Sequence, residues 1–171
     1  KTSGFAPNGR YGHSITLVPD GRLLMFGGTS MQEGKNVPTY NDDIRQLDTE
    51  TMMWSRPRVA GHTPTGRYGH SATLVDDGCI VMFGGWGRGG CQCRESVNDS
   101  RAFSTQVLDT NTMTWWVPRR MGKKPIKHFH NHGAVRAGAT GNTIFMFSGC
   151  DGRQATNDFV VLNIDLPIEA A

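Results

Sequence analysis

RYGHSITLV at residues 10–18 and RYGHSATLV at residues 67–75 differ at a single position. Each copy is followed by a short apolar run closed by a glycine pair, GRLLMFGG at 21–28 and GCIVMFGG at 78–85, and then by IRQLDTETMMW at 44–54 and TQVLDTNTMTW at 105–115. His13 to Gly27 and His70 to Gly84 are both 14 residues, so the front of the unit is locked in length. The rear drifts, with 26 residues from Gly28 to Trp54 and 30 from Gly85 to Trp115. A weaker third copy reads HNHGAVRAG at 130–138, NTIFMFSG at 142–149 and FVVLNID at 159–165, with His132 where His13 and His70 stood. Self-similarity of this kind has to be resolved before any single motif is read as a site.

A period near 57 to 62 residues with a glycine doublet and a later tryptophan is the signature of a four-stranded propeller blade. LLMF, IVMF and TIFMF are short continuous apolar runs bounded by glycine, as expected for strands covered on both faces. Their aliphatic, β-branched and aromatic side chains suit a strand. The pattern predicts a first strand at about 12–18, 69–75 and 132–137 and a second at 22–27, 79–84 and 143–148. A third follows at 43–48, 104–109 and 158–164, and a fourth at 53–56 and 114–117. PDG, DDG and TGN link the first two strands, and TET and TNT the last two, all tight-turn chemistry.

The repeated residues are assigned structural work. Gly27, Gly28, Gly84, Gly85 and Gly149 allow positive φ or a close backbone approach at the end of the second strand. Trp54 and Trp115 pack one blade on the next. His13, His70 and His132 recur once per unit, whereas a catalytic residue is used once, so each is expected to tie a strand end to a neighbouring backbone group.

Together these motifs resemble the kelch-repeat β-propeller family. The likeness rests on P-x-x-R-x-x-H-S at 64–71, MFGG at 25–28 and 82–85, and LDT-x-T-x-x-W at 47–54 and 108–115. It covers essentially the whole chain, 1–171, with blade units at about 10–57, 67–118 and 129–166. There are departures. Leu47, Leu108 and Leu162 replace the tyrosine usual before the third-strand aspartate, the third glycine pair reads Ser148, Gly149, and Glu169 stands where a third tryptophan would fall. The fold class expected is all-β, with kelch blades of four antiparallel strands in an incomplete ring of about three blades. Since a closed ring takes four to eight blades, the expectation is a fragment of a six- or seven-bladed propeller, with two copies completing a ring as the alternative.

Composition narrows the function classes. At 171 residues the chain has one domain's worth of sequence, and no stretch of 18 apolar residues or N-terminal charged-then-apolar segment suggests a span or signal. Cys79, Cys91, Cys93 and Cys150 form no disulfide framework, which points to a reducing, intracellular location, cytoplasmic or nuclear. The net charge is only +3, but it is unevenly placed.

Alternating strand direction sends the loops between second and third strands, and the linkers between blades, to one face. All the long segments, 29–42, 57–68, 86–103, 118–131 and 150–157, are on that face, where rigid scaffolds carry recognition. It is basic: Arg119, Arg120, Lys123, Lys124 and Lys127 lie in one linker with no acid among them, and Arg88, Arg94 and Arg101 in the adjacent loop. The expected ligand is a protein or an acidic or phosphorylated peptide, with nucleic acid less favoured and no membrane contact. A solvated linker that merely keeps the domain soluble is the competing reading. Trp86 is the leading partner anchor, His128 and His130 are also assigned to the partner-binding set, and Arg10 and Arg67 are placed at the channel mouth.

Other chemistry is sparse. His128, His130 and His132 alternate, so an extended strand would present them on one side, and Cys91 and Cys93 lie in the same face's loop; these are weak candidates for a metal. Against them, His132 belongs to the repeat and C-x-C is tighter than usual zinc spacing, so no cofactor is expected. The acid-rich iron motif of some kelch relatives is not carried over, because its nearest match, Glu95, Asp99, Phe103, lacks a histidine in third place. The expected function is a non-enzymatic protein-interaction or scaffold module, also open to self-association through exposed blade edges. The alternatives are a metal-dependent enzyme or helper built on His128, His130, Cys91 and Cys93, or a regulator of an attached catalytic domain.

Overall fold

The structure, a computed structural model, describes residues 1–31, 34, 37–88, 90–91, 105–118, 130–139, 141–150 and 153–165, without the side chains of residues 77, 90 and 91. The described residues contain strands and one short 3₁₀ turn at Asp76–Gly78, and among them no helix is long and apolar enough to cross a membrane.

The first blade comprises β1 (Ser3–Gly4), β2 (Ser14–Leu17), β3 (Arg22–Phe26), β6 (Ile44–Asp48) and β7 (Met53–Ser55), with β4 (Thr29–Ser30) and β5 (Thr39–Tyr40) forming a ribbon in its long loop. The second follows the same plan. β8 (Ala60–Gly61) precedes β9 (Arg67–Tyr68), β10 (Ser71–Leu74) and β11 (Cys79–Phe83); then come the loop strands β12 (Trp86–Gly87) and β13 (Gly90–Cys91), and finally β14 (Thr105–Asp109) and β15 (Thr114–Trp116). The third contains β16 (Gly133–Arg136), β17 (Thr143–Cys150) and β18 (Ala155–Asn163). Sheet orders are β2-β3-β6-β7-β1, β10-β11-β14-β15-β8 and β16-β17-β18. β2 and β10, and β10 and β16, are the strands through which neighbouring sheets approach most closely, so these first strands line the axis.

The pleat explains why the second strand of each blade reads as a continuous apolar run. In β11, Cys79, Val81 and Phe83 join Ile144, Met146 and Ile164 of the third blade, while Ile80 and Met82 join Val18, Leu24, Phe26 and Ile44 of the first. One strand thus serves two interfaces, one per face. Trp115 sits in the first of these junctions, 2% exposed and edge-on to Phe26.

Two features depart from the sequence expectation. A fifth strand, β1 or β8, comes from the linker before each of the first two blades and pairs in parallel with β7 or β15. Gly4 and Gly61 hold positive φ there, and a Cβ on either would overlap the carbonyl oxygen of Trp54 or Trp115. In the third blade, β17 and β18 extend as far as the pair Cys150 and Ala155, beyond the 143–148 and 158–164 expected. The short connection lets the ladder resume after a bulge between Phe147 and Gly149.

Candidate functional site

The repeated pentapeptide works between blades. His70 Nε2 shares a 2.8 Å hydrogen bond with Ser14 Oγ, and His132 Nε2 shares one of the same length with Ser71 Oγ. Each histidine is therefore fastened to the serine of the preceding unit, a side-chain partner where a backbone group was expected. The residue before each histidine adds a backbone link: Gly69 N–H donates to Gly12 O at 2.8 Å, and Asn131 N–H to Gly69 O at 2.7 Å. Gly12, Gly69 and Asn131 all have positive φ, which glycine accepts freely and asparagine tolerates. FHNH is thus the third rendering of RYGH.

Burial pulls His70 down to about 3, with the charges of Arg67, His132 and His13 adding to it. Burial also pulls His132 down to about 4, with His130 adding, and lowers His13, where Arg10 adds. His70 and His132 are neutral fasteners.

Arg10 and Arg67 do not open onto a channel mouth. Arg67 is 0% exposed and its guanidinium donates to Gly84 O at 3.0 Å, Thr65 O at 3.1 Å and Gln106 Oε1 at 3.4 Å. Arg10 repeats the clamp on Gly27 O at 3.0 Å and pairs with Asp43 at 2.6 Å, and Asp43 also binds Arg45 at 2.6 Å. Burial pushes the Asp43 carboxyl up, but the two arginines outweigh it and hold it below its ordinary range. Arg45 and Gln106 then reach Phe5 O and His62 O at 2.9 and 2.8 Å, pinning the incoming linker. A buried guanidinium is tolerable only with such a full set of acceptors.

The glycine pairs sit where this packing is tightest. A Cβ on Gly27 would lie 2.6 Å from Arg67 O, and one on Gly85 2.9 Å from the Cβ of His70. Trp54 is half-buried on the open side of the first blade, unlike Trp115.

On the long-loop face the structure brings together residues that the sequence left scattered. Tyr11, Tyr68 and His130 pair through their backbones with Thr29, Trp86 and Cys150, the residues just after each Gly-Gly or Ser-Gly pair. Their rings make a connected cluster. Tyr68 meets Tyr11 at 6.2 Å, Tyr40 at 6.0 Å and His130 at 6.3 Å, and His130 meets Trp86 at 5.2 Å. Trp86 was expected as an anchor, and none of the three tyrosines was given a binding role. The available signal was that each follows a repeated arginine or precedes the third strand on the loop face.

Of the H-x-H-x-H run, His130 and His132 do not share one side of a strand, and His128 lies outside the described residues. His130 is buried against Tyr68 and Trp86, and positive φ at Asn131 turns the chain before His132 points to Ser71. Among the described residues no group of three histidine, cysteine, aspartate or glutamate side chains is placed to hold a metal. Arg88 is exposed beside Trp86. Arg94, Arg101, Arg119, Arg120, Lys123, Lys124, Lys127, His128, Cys93 and the side chain of Cys91 lie outside the described residues. On the opposite face the turn acids are structural: Asp76 binds Arg136 at 3.0 Å and the Gly141 amide, and Asp48 and Asp109 accept amides of their own turns.

Comparison with known proteins places this architecture. Residues 1–166 match the KLHDC2/KLHL20/DRC7 Kelch-repeats domain. The chain is 33% identical over 143 residues to Kelch domain-containing protein 3 of Rattus norvegicus, covering 84% of this chain and 32% of that one. It is 32% identical over 168 residues to Acyl-CoA-binding domain-containing protein 4 of Arabidopsis thaliana, covering 96% and 22%. It is also 29% identical to the Rab9 effector protein with kelch motifs of Homo sapiens, covering 87% and 36%. The chain therefore spans about a third or less of these relatives' lengths. The solved structure of YjhT superposes with a TM-score of 0.66 at 18% identity, over 95% of this chain and 53% of that one, a likeness of fold.

Proposed function

Since the chain belongs to the kelch-repeat family, whose members typically serve as protein-interaction modules, we propose that it is a non-enzymatic docking platform that receives a protein partner on its long-loop face. The observation that carries this reading is the convergence on that face of Tyr11, Tyr40, Tyr68 and Trp86 from two blades, with exposed Arg88 alongside. Two of the residues best suited to acid–base work, His70 and His132, are spent between blades. One relative is by its name the effector of another protein, Rab9, which supports a protein partner here.

The basic residues of the linker, Arg119, Arg120, Lys123, Lys124 and Lys127, favour an acidic or phosphorylated partner segment through charge-assisted hydrogen bonds. The three blades are proposed to form an arc of a larger propeller working inside the cell. A pull-down from cell extract tests the docking face: a variant with Arg119, Arg120, Lys123 and Lys124 changed to Glu loses its partner, while Glu50→Lys, on the opposite turn face, keeps it. Unchanged capture by the first variant sinks the basic-face reading.

A further inference from the structure

All three tyrosines of the chain meet in one aromatic cluster, although they lie at positions 11, 40 and 68 in two different blades. Trp86 and His130 continue it into the third blade. Packing does not account for the whole cluster. Tyr11 is 62% exposed and Tyr40, Tyr68 and Trp86 are half-buried, whereas the tryptophan that joins blades, Trp115, is 2% exposed. Buried tyrosine and indole groups normally find hydrogen-bond partners. Here, among the described residues, none of the three phenolic hydroxyls is hydrogen-bonded to another protein group.

The rings are set so that faces and edges alternate. Tyr11 and Tyr68 are inclined by 65°, Tyr68 and His130 by 68°, and Trp86 and His130 by 58°; only Tyr40 and Tyr68 lie nearly parallel, at 16°. The inclined rings present both edges and faces on the partly exposed surface. Gly12 makes the arrangement possible, since a Cβ there would press on the Cβ and ring of Tyr68 at 3.0 Å.

From this geometry we infer that the aromatic cluster is a binding site for an extended, proline-containing segment of a partner protein. A polyproline II strand has no internal hydrogen bonds, so its carbonyls point outward and need donors. Phenolic hydroxyls and an indole N–H beside apolar ring faces supply donors and apolar contact together, the combination by which aromatic surfaces hold such segments. The strand is already ordered before binding, so little entropy is lost on docking. Exposed Arg88, two residues after Trp86, favours an acidic residue flanking the prolines.

This inference rests on the loop face being the docking face, and calorimetric titration separates the two. The probe is a synthetic decaproline peptide with one glutamate at each end; the control is a Gly-Ser peptide of equal length and charge. The proline probe binds saturably and the control does not. Tyr11→Ala and Tyr68→Ala each weaken the probe by about tenfold, the loss of one aromatic contact, while their melting transitions stay cooperative. Tyr11→Phe, which keeps the ring, retains more affinity than Tyr11→Ala. Equal binding of the two peptides, or undiminished binding by both alanine variants, overturns the inference. So does an absence of probe binding by a protein whose natural partner is still lost on loop-face substitution, and in that case the docking-face reading stands without it.

Discussion

Protonating His70 or His132 would place a charge inside a blade junction, and that makes the junctions sensitive to acid. In the unfolded chain each imidazole titrates at its ordinary value of 6.5, whereas burial holds them at about 3 and about 4 when folded. Between those values the unfolded state binds protons that the folded state refuses, so stability is present in full above pH 6.5 and declines as pH falls. At pH 5 each histidine costs about 2 kcal/mol relative to neutral pH. Urea midpoints measured at pH 7.5 and pH 5 should fall accordingly, and His70→Gln should reduce that slope while lowering stability at neutral pH. A flat profile in the parent protein would count against the neutral fasteners. Sequence reading recognised that these histidines recur, but the serine partner 56 or 61 positions earlier follows only from how two blades lie together.

Among the elements, the linker strands β1 and β8 were illegible because two residues carry no periodicity. Each is fixed by a glycine facing a carbonyl, so Gly61→Ala should detach β8 from β15 and cost about 2 kcal/mol or more, by strain at positive φ and by overlap with Trp115 O. A shift in the thermal midpoint, with faster hydrogen exchange at the His62 amide that β8 normally directs to Trp115 O, would show it. The turn between third and fourth strands offers the opposite case. Met52 and Met113 both hold positive φ, near 55° and 53°. Met52 is exposed, so Met52→Asn should stabilise by up to about 1 kcal/mol. Met113 packs on the first junction and meets Arg22, so Met113→Asn should lose stability instead. Paired melting curves of the two variants test the sign.

On the scale of the whole molecule, the same code joins first blade to second and second to third: alternate residues of one strand face backward and the rest face forward. On the third blade the forward set is uncovered, and Val135, Phe145, Phe147, Phe159 and Val161 are all exposed, with Phe145 and Phe159 only 5.5 Å apart between ring centroids. A contiguous apolar face of this kind drives association. Sedimentation velocity of these 171 residues expressed alone should show concentration-dependent association that Phe147→Lys with Phe159→Lys abolishes; identical behaviour of parent and variant would refute it. The sequence by itself determined the all-β class, the blade repeat and the strand order, because apolar periodicity, turn residues and glycine pairs are local signals that each unit repeats. Only the tertiary structure decided what the repeated residues touch. It turned Arg10 and Arg67 inward onto Gly27 and Gly84, matched His70 and His132 to the previous blade's serine, and drew three distant tyrosines into one cluster. Those are contacts between units, and a side chain's partner across a junction depends on how two sheets pack, which no local pattern encodes.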